Sequence, residues 1–390
     1  MMKTRLLRMG VAAAVLAAPL AVGAASAQPT SQRLFRQIVA GADHACGVTS
    51  GGAAMCWGRN ESGQLGDGTR RERHTPVLVA GLTHGVRSVA LGDYHTCAVL
   101  DDGSVKCWGY NFVGSLGDGT RRTTLRPVQV LGLFQGVASI RASQDSTCAL
   151  TTAGKALCWG GNEYGQLGDG TGQERLTPTP VVGLGRAVTS ITLGNAHACG
   201  LLASGTAKCW GRSWYGQLGD GTWGGGSHYT PVTVTVLKEP ISAIAAGGYD
   251  YTCVLTTAGA VKCWGSNWFG QLGFGGWDED AHPQPTTVPG LSRGVNALSA
   301  GLVHSCARLT SGAMTCWGFG LHGELGNGDE PRYSAPVRVV GMSRQVSSMS
   351  AGGYLTCALQ AGVGKCWRNN DRGEVGDGTT VQRNRPVLVK

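Results

Sequence analysis

Residues 41–58 read GADHACGVTSGGAAMCWG, and seven versions of this stretch follow one another along the chain. Their first cysteines stand at residues 46, 97, 148, 199, 253, 306 and 357, which are 51 to 54 residues apart. Each version is followed by a tract similar to GQLGDGT at 63–69. A repeat of this length is typical of architectures in which one small unit, unable to bury its own surfaces, packs against copies of itself.

Each unit contains four short segments with the pattern of β-strands. In the second unit they are 86–92, 94–100, 104–109 and 127–133, and a glycine turn separates the two that carry cysteines. Alternating apolar residues indicate strands, and glycine supplies the positive φ that a tight hairpin needs. The pattern predicts an all-β protein, a seven-bladed β-propeller of four-stranded antiparallel blades. Two modes of ring closure remain open, within one unit or by strands borrowed across the termini, and we favour the second.

Composition agrees with a packed β-protein. The 390 residues include 64 glycines, which argues against a helical bundle. Hydrophobic residues make up 42% and charged residues 15% of the chain, so a solvated disordered chain is excluded.

The N-terminus has the features of an export signal. Lys3, Arg5 and Arg8 precede an apolar run at 9–22, and small residues stand at 25–27. We interpret 1–27 as a cleaved signal peptide and 28–390 as one propeller domain, with a retained N-terminal anchor as the alternative. Removing the three cations lowers the formal net charge from +9 to +6. The predicted location is secreted or periplasmic, with no membrane span in the mature chain.

The cysteines occur in pairs that face each other across the predicted hairpins. Six pairs are ten residues apart and the last is nine apart, and directly opposed strand residues lie within disulfide range. Export to an oxidising compartment supports the same pairing, whereas clustered metal-ligand spacing is missing from the sequence. The predicted disulfides are Cys46–Cys56, Cys97–Cys107, Cys148–Cys158, Cys199–Cys209, Cys253–Cys263, Cys306–Cys316 and Cys357–Cys366.

Three other residue types recur at fixed places, and we interpret them as structural. In each unit, the residue after the second cysteine is tryptophan. Because adjacent strand residues point to opposite faces, each seam between blades should bring the indole of one blade near the disulfide of its neighbour. A lone aspartate before glycine forms a turn more often than a calcium site. The tryptophans are Trp57, Trp108, Trp159, Trp210, Trp264, Trp317 and Trp367; the histidines before the first cysteine are His44, His95, His197 and His304, replaced elsewhere by Ser146, Tyr251 and Leu355; the aspartates are Asp67, Asp118, Asp169, Asp220 and Asp377.

The repeat resembles a known family. The Gly-x-x-His-x-Cys, Cys-Trp-Gly and Gly-Gln-Leu-Gly-Asp-Gly-Thr elements are similar to the repeat of the regulator of chromosome condensation family, whose members form seven-bladed propellers. The paired cysteines depart from that repeat. The family includes a nuclear nucleotide exchange factor and a secreted β-lactamase inhibitor that binds through aromatic loop residues. The resemblance implies the fold, and no exchange-factor residues can be matched to positions here.

Aromatic residues outside the repeat pattern gather in units four and five. If the third-to-fourth connections share one face of the disc, these residues form a candidate binding patch, because tryptophan and tyrosine are enriched at binding hot spots. Inward packing of longer loops is the alternative. The residues are Trp214, Tyr215, Trp223, Trp268, Phe269 and Trp277.

Arginines occupy the corresponding connections of units one and two. They form a candidate basic patch for an acidic protein, an anionic envelope polymer or nucleic acid, and a solvated surface is the alternative. The residues are Arg70, Arg71, Arg73, Arg121, Arg122 and Arg126. The acidic run 278–280 is too local to indicate a metal.

No catalytic motif is recognisable, and every cysteine is assigned to a bridge. The sequence therefore favours an exported, monomeric, non-enzymatic protein that binds a protein partner and needs no cofactor. The alternative is a polysaccharide-binding or carbohydrate-active propeller that uses exposed tryptophans as sugar platforms. A proteinaceous enzyme inhibitor and a guanine nucleotide exchange factor are less favoured.

Overall fold

A computed structural model describes residues 34–331 and 333–390, so the predicted signal peptide lies outside the described residues. The described chain forms seven four-stranded antiparallel sheets, and in each sheet four consecutive strands pair in order. The first strands of the sheets surround a central channel. The predicted seven-bladed β-propeller is confirmed.

Each blade runs from an inner strand to an outer strand. Blade 1 comprises β1 (Phe35–Ala40), β2 (His44–Thr49), β3 (Ala54–Gly58) and β4 (Arg73–Leu78). Blade 2 comprises β5 (Val86–Leu91), β6 (His95–Leu100), β7 (Val105–Gly109) and β8 (Thr124–Gln129). Blade 3 comprises β9 (Val137–Ser143), β10 (Ser146–Thr151), β11 (Ala156–Gly160) and β12 (Arg175–Pro180). Blade 4 comprises β13 (Val188–Leu193), β14 (His197–Leu202), β15 (Ala207–Arg212) and β16 (Ser227–Thr233).

The remaining blades repeat the arrangement. Blade 5 comprises β17 (Ile241–Gly247), β18 (Tyr251–Thr256), β19 (Val261–Ser266) and β20 (Ala281–Thr287). Blade 6 comprises β21 (Val295–Ala300), β22 (His304–Leu309), β23 (Met314–Phe319) and β24 (Tyr333–Arg338). Blade 7 comprises β25 (Val346–Ala351), β26 (Thr356–Gln360), β27 (Val363–Arg368) and β28 (Arg383–Leu388).

The central hairpin of each blade has the predicted register. In blade 1, Cys46 lies opposite Cys56, and Gly52 in the turn has a φ of +80°. In the shorter hairpin of blade 7, Ala361 and Gly362 both adopt positive φ. All seven predicted disulfides are present, with Cα atoms 4.0 to 4.1 Å apart, so opposed strand positions accommodate them directly.

The seams between blades are built on the repeated tryptophan. Trp108 of blade 2 shares a buried cluster with the Cys46–Cys56 disulfide of blade 1, as the sequence predicts. Its Nε1 donates to the Gln64 carbonyl of blade 1 at 2.8 Å. The same pairing of indole and neighbouring disulfide occurs at all seven seams, including the seam between blades 7 and 1, where Trp57 meets Cys357–Cys366.

The four repeated histidines are structural, as predicted, and each reaches the next blade. His44 is fully buried, and its Nε2 lies 2.8 Å from Thr96 Oγ1. That hydroxyl donates its single proton to the Gln64 carbonyl, so the histidine Nε2 carries the proton between them. Equivalent contacts link His95 to Thr147, His197 to Thr252 and His304 to Thr356.

Burial holds these imidazoles neutral. Desolvation lowers the pKa of His44, His197 and His304 to about 3 and that of His95 to about 4. The Nδ1 atoms of His44, His197 and His304 are buried without a hydrogen-bond partner in the described chain, so an added proton has no acceptor there, whereas the Gln144 carbonyl near His95 acts against the fall of its pKa.

The outer strand differs from the sequence prediction. The predicted segment 127–133 is replaced by β8, which begins at Thr124 and ends at Gln129. Residues 130–133 form a turn in which Leu133 N donates to Val130 O and Gly132 has a φ of +75°. Val130 and Leu133 are apolar because they are buried beneath this turn, not because they continue the strand.

The favoured closure by borrowed strands is wrong. Blade 1 and blade 7 are each complete, because their four strands are consecutive in the chain. The ring closes instead through contacts between whole blades. Phe35 N donates to Gly362 O at 2.9 Å, Gly353 N donates to Gly41 O at 2.8 Å, and the Phe35 side chain is buried among blade 7 residues.

Across residues 34–331 and 333–390, no helix has the length and apolar character needed to cross a membrane.

Replacement of the seam tryptophans by phenylalanine should have unequal effects. Trp210→Phe leaves the Gln166 carbonyl without a donor among the described residues, because Ala198 stands where a threonine would supply a second one. Trp108→Phe leaves Gln64 O bonded to Thr96. We expect Trp210→Phe to cost about 1 kcal/mol more in unfolding free energy than Trp108→Phe, since an unsatisfied buried carbonyl costs about 1–3 kcal/mol. Equal shifts in denaturant midpoint would contradict the role of the shared carbonyl.

The buried histidines predict an acid-sensitive ring. An unfolded histidine has a pKa near 6.5, so between that pH and about 4 the unfolded chain binds more protons and stability falls as pH falls. The double variant His44→Leu with Thr96→Ala reproduces the natural pair Leu355 and Ala45 at the closing seam. We expect its unfolding free energy to depend less steeply on pH, by up to about 1.4 kcal/mol per pH unit. Identical slopes for wild type and variant in denaturation at pH 7 and pH 5 would refute this.

Candidate functional site

Two sets of connections lie on one side of the disc. The β1–β2 turn of blade 1 and the loop after β3 are joined by a hydrogen bond from Arg59 N to Asp43 O at 2.9 Å, and blade 2 has the same bond from Tyr110 N to Tyr94 O. We call the surface formed by the turns between first and second strands and the loops between third and fourth strands the loop face.

The loops of the loop face are held rigidly. In blade 1, Asn60 Oδ1 accepts from Leu65 N at 3.0 Å, while its Nδ2 donates to the carbonyls of Thr69 and Arg71. The middle of the loop dips into the seam, where Gly68 N donates to Leu125 O of blade 2. Only the two ends of each loop therefore remain at the surface.

The repeated aspartates form turns, as predicted. Asp67 Oδ1 accepts from the backbone and hydroxyl of Thr69 at 2.9 and 2.7 Å, and its Oδ2 accepts from Arg73 Nε at 2.9 Å. Asp118, Asp169, Asp220 and Asp377 bond their own threonines in the same way. In the acidic run of blade 5, Asp278 accepts from Asn267 and contacts His282 at 2.6 Å. Among the described residues, no group of three or more histidine, cysteine or acidic side chains is arranged to hold a metal ion.

The structure exposes the four additional tryptophans on adjacent loops. Trp214, Trp223, Trp268 and Trp277 keep 48, 59, 39 and 48% of their surface accessible, and Tyr215 and Phe269 are half-buried beside them. Gly224 N donates to Trp214 O at 3.1 Å, which draws the end of the loop carrying Trp223 back beside Trp214.

The aromatic rings meet edge to face across blade boundaries. Tyr215 of blade 4 and Trp268 of blade 5 have centroids 6.4 Å apart at 80°. Tyr164 of blade 3 and Trp214 of blade 4 are 6.0 Å apart at 81°. Edge-to-face contacts hold rings in fixed relative orientations, so the patch is ordered without being buried.

Arg212 organises this patch, and the sequence did not single it out. Its guanidinium lies 4.6 Å from the centroid of Trp214 and 5.0 Å from that of Tyr164. Behind the rings it forms a two-point ion pair with Asp250 of blade 5, in which Nε and Oδ1 are 3.0 Å apart. Burial raises the pKa of Asp250, and the adjacent Arg212 and a hydrogen bond from Gln217 act against that rise. The ion pair therefore fixes the guanidinium against the rings.

The aromatic surface extends beyond the predicted residues. Phe269 contacts Tyr249 and Phe319 at centroid distances of 4.9 and 5.7 Å, and His322 continues the series to Tyr354 of blade 7. Sequence analysis missed these residues because they occupy ordinary repeat positions. Phe319 directly follows the Cys-Trp-Gly element of its unit, and Tyr249 and Tyr354 lie two residues before the second strands of theirs. His322 has neither position, so no single sequence signal identifies the set.

The predicted basic patch is partly neutralised. Arg73 pairs with Asp67, Arg121 contacts Glu174 and the Phe112 carbonyl, and Arg70 donates to the Glu61 carbonyl. Arg73 is the first residue of outer strand β4, and Arg126 lies within outer strand β8, so neither is in a loop. Arg71 and Arg122 are exposed at the loop ends, and the basic patch stays a prediction in which two of the six arginines are paired with acidic residues.

Comparisons with known proteins agree with the repeat. Two family models, both described as regulator of chromosome condensation (RCC1) repeat, match residues 52–99, 153–201 and 311–359 and residues 35–64, 86–115, 137–166, 188–217 and 241–271. The Ultraviolet-B receptor UVR8 of Arabidopsis thaliana is 30% identical over 360 residues, which cover 90% of this chain and 81% of that protein. The E3 ubiquitin-protein ligase HERC2 of Homo sapiens is 30% identical over 355 residues, which are 88% of this chain but 7% of that protein.

Solved structures show the same fold. Yeast RCC1 (Prp20), in its crystal structure with Kap60, superimposes with a TM-score of 0.75 at 21% identity, covering 92% of this chain and 85% of that chain. Human WBSCR16 gives a TM-score of 0.72 at 23% identity, covering 82% and 85%. By its repeats and its relatives, the chain belongs to the regulator of chromosome condensation (RCC1) repeat family.

Proposed function

We propose that this protein is an exported, non-catalytic binding protein that recognises another protein through the loop face of blades 4 and 5. The observation that carries the proposal is the cluster of four exposed tryptophans on neighbouring loops, of which Trp214 and Trp268 are ordered by edge-to-face contacts and Trp214 also by Arg212. Tryptophan, tyrosine and arginine are the residues that contribute most at protein interfaces, and they contribute most when their orientation is fixed before binding.

The ring arrangement favours a protein over a glycan. A sugar stacks on an open aromatic face, but Arg212 covers one face of Trp214, and Tyr164 meets the same ring edge to face. A protein can fill the spaces between the protruding rings with its own side chains. Members of the fold bind proteins: one crystal structure shows yeast RCC1 (Prp20) bound to Kap60, and another concerns the binding of Prp20p to Gsp1p and histones.

Two features support function outside the cytoplasm. Seven disulfides need an oxidising compartment to form and persist. The interpretation of residues 1–27 as a cleaved signal peptide leads to the same compartment. We infer a secreted or periplasmic monomer, in which the disulfides and seams make a rigid support for the loop face.

Removal of the tryptophan patch should abolish partner binding without unfolding the ring. The test variant carries alanine at Trp214, Trp223, Trp268 and Trp277. Oxidised mature protein is used to capture partners from the culture medium and envelope fraction of its host, and the captured proteins are quantified by mass spectrometry. We expect at least a hundredfold loss of the specific partner, because two hot-spot residues of about 2 kcal/mol each already give close to a thousandfold loss.

A matched variant controls for nonspecific binding to exposed apolar side chains. Leu131, Phe134, Val182 and Val340 are also exposed apolar residues, but they lie in connections between blades, outside the loop face. Alanine at these four positions should leave capture unchanged. Equal capture by wild type and both variants would refute the proposal, and retention of glycans in place of proteins would favour the polysaccharide-binding alternative.

A further inference from the structure

The inner strands of the seven blades enclose a central channel with a cavity of about 460 Å³. Its wall consists mainly of small or apolar residues, and Arg141 and Asp93 are the charged residues of the described chain that line it. Arg141 lies inside the channel wall, and Asp93 lies in the β5–β6 turn, where the channel meets the loop face.

The register of the blades places four polar residues at one level of the channel. Arg141 stands opposite Cys148, the first cysteine of its blade. Thr192, Ser299 and Ser350 stand opposite the first cysteines of blades 4, 6 and 7, and the other three blades have valine or alanine there. One arginine and three hydroxyl residues therefore occupy the same backbone level of the wall, which we call the polar ring.

Each hydroxyl of this ring accepts a backbone N–H from the next blade. Thr192 Oγ1 accepts from Ala246 N at 3.1 Å, Ser299 Oγ accepts from Ala351 N at 3.0 Å, and Ser350 Oγ accepts from Ala40 N at 3.1 Å. One lone pair of each oxygen is thus occupied, and the hydroxyl proton can be donated to a ligand in the channel.

Arg141 adds further donors at the same level. Its Nη1 donates to the Ile140 carbonyl at 2.9 Å, and in the described part of the chain no carboxylate lies within ion-pair distance of it. Arg141 keeps accessible surface inside the channel, and the surrounding wall lowers the pKa of its guanidinium by partial desolvation. A cation in such a confined space is stabilised by a counter-anion more than a cation at the surface is.

We propose that this ring binds a small organic anion, with a carboxylate of the ligand on Arg141 and its other polar groups on the hydroxyls of Thr192, Ser299 and Ser350. The planar guanidinium matches a carboxylate with two parallel hydrogen bonds. The cavity volume lies within the range of small-molecule sites. Asp93 does not close the mouth to anions, because burial and the nearby Asp145 and Asp43 raise its pKa to about 7 and leave it partly neutral.

The test measures binding of defined carboxylates to the oxidised, mature protein. Acetate, malonate, succinate, citrate and benzoate are titrated by calorimetry, and the shift in thermal midpoint is recorded at 10 mM of each. We expect at least one to bind with a dissociation constant below 1 mM and Arg141→Gln to weaken that binding at least tenfold. Arg141→Lys keeps the charge without the planar fork and should bind with intermediate affinity.

Two controls separate this site from the loop face and from a structural role. Arg122→Gln removes an exposed arginine outside the channel, and the tryptophan quadruple variant removes the proposed protein-binding patch; both should bind the carboxylate as wild type does. Without ligand, Arg141→Gln should melt at or above the wild-type temperature, because it removes a cation without a carboxylate partner. The inference is overturned if none of the five carboxylates binds, if Arg141→Gln binds them equally well, or if that variant melts several degrees lower.

Discussion

The structure depends on a backbone carbonyl that each blade offers to the next. In blade 1 this is the carbonyl of Gln64, which accepts from the Trp108 indole and the Thr96 hydroxyl of blade 2. The loop that carries it must dip into the seam to do so, and the neighbouring indole is then buried against the first blade's disulfide. Hydrogen bonding, apolar burial and the local cross-link therefore meet at one place in every seam. Because the last seam uses the same contacts through Trp57 and the Glu374 carbonyl, the ring closes without a shared sheet.

Much of this arrangement could be predicted from the sequence because it is local or repeated. The facing of Cys46 and Cys56 follows from a short hairpin, and the seam position of Trp57 follows from strand alternation. The outer strand was harder to place, since Val130 and Leu133 have a strand-like pattern but are buried in a turn. Closure could not be predicted from complete units at both ends, because contacts such as Phe35 with Gly362 join residues more than 300 positions apart.

The sequence also contains a long-range pattern that links each repeated histidine to a residue of the next blade. Where one blade has a histidine two residues before its first cysteine, the next blade has a threonine one residue before its own first cysteine. The pairs His44 with Thr96 and His304 with Thr356 show this. Where serine or leucine replaces the histidine, the partner is alanine, as in Ser146 with Ala198 and Leu355 with Ala45. The aromatic patch of blades 4 and 5 has no comparable repeated pattern in the sequence. The aromatic residues of blades 4 and 5 could be found as departures from the repeat, but the pairing of Arg212 with Asp250 depends on which loops become neighbours.

Buried charges occur together where blades 6 and 7 meet their neighbours. In blades 6 and 7, Glu324 and Glu374 replace the usual Gln or Ser of the seam loop, and burial raises the pKa of both, that of Glu324 to about 7. Arg368 replaces the glycine after the tryptophan and lies buried near Glu374 and Asp43, with Nη2 3.6 Å from Glu374 Oε1. A buried carboxylate is stabilised by a nearby cation, which accounts for Arg368 beside Glu374, whereas Glu324 Oε1 at the seam of blades 6 and 7 has no hydrogen-bond partner among the described residues. Arg141 differs from these residues because it keeps accessible surface inside the channel and has no carboxylate partner among the described residues, an arrangement that the proposed anion would complete.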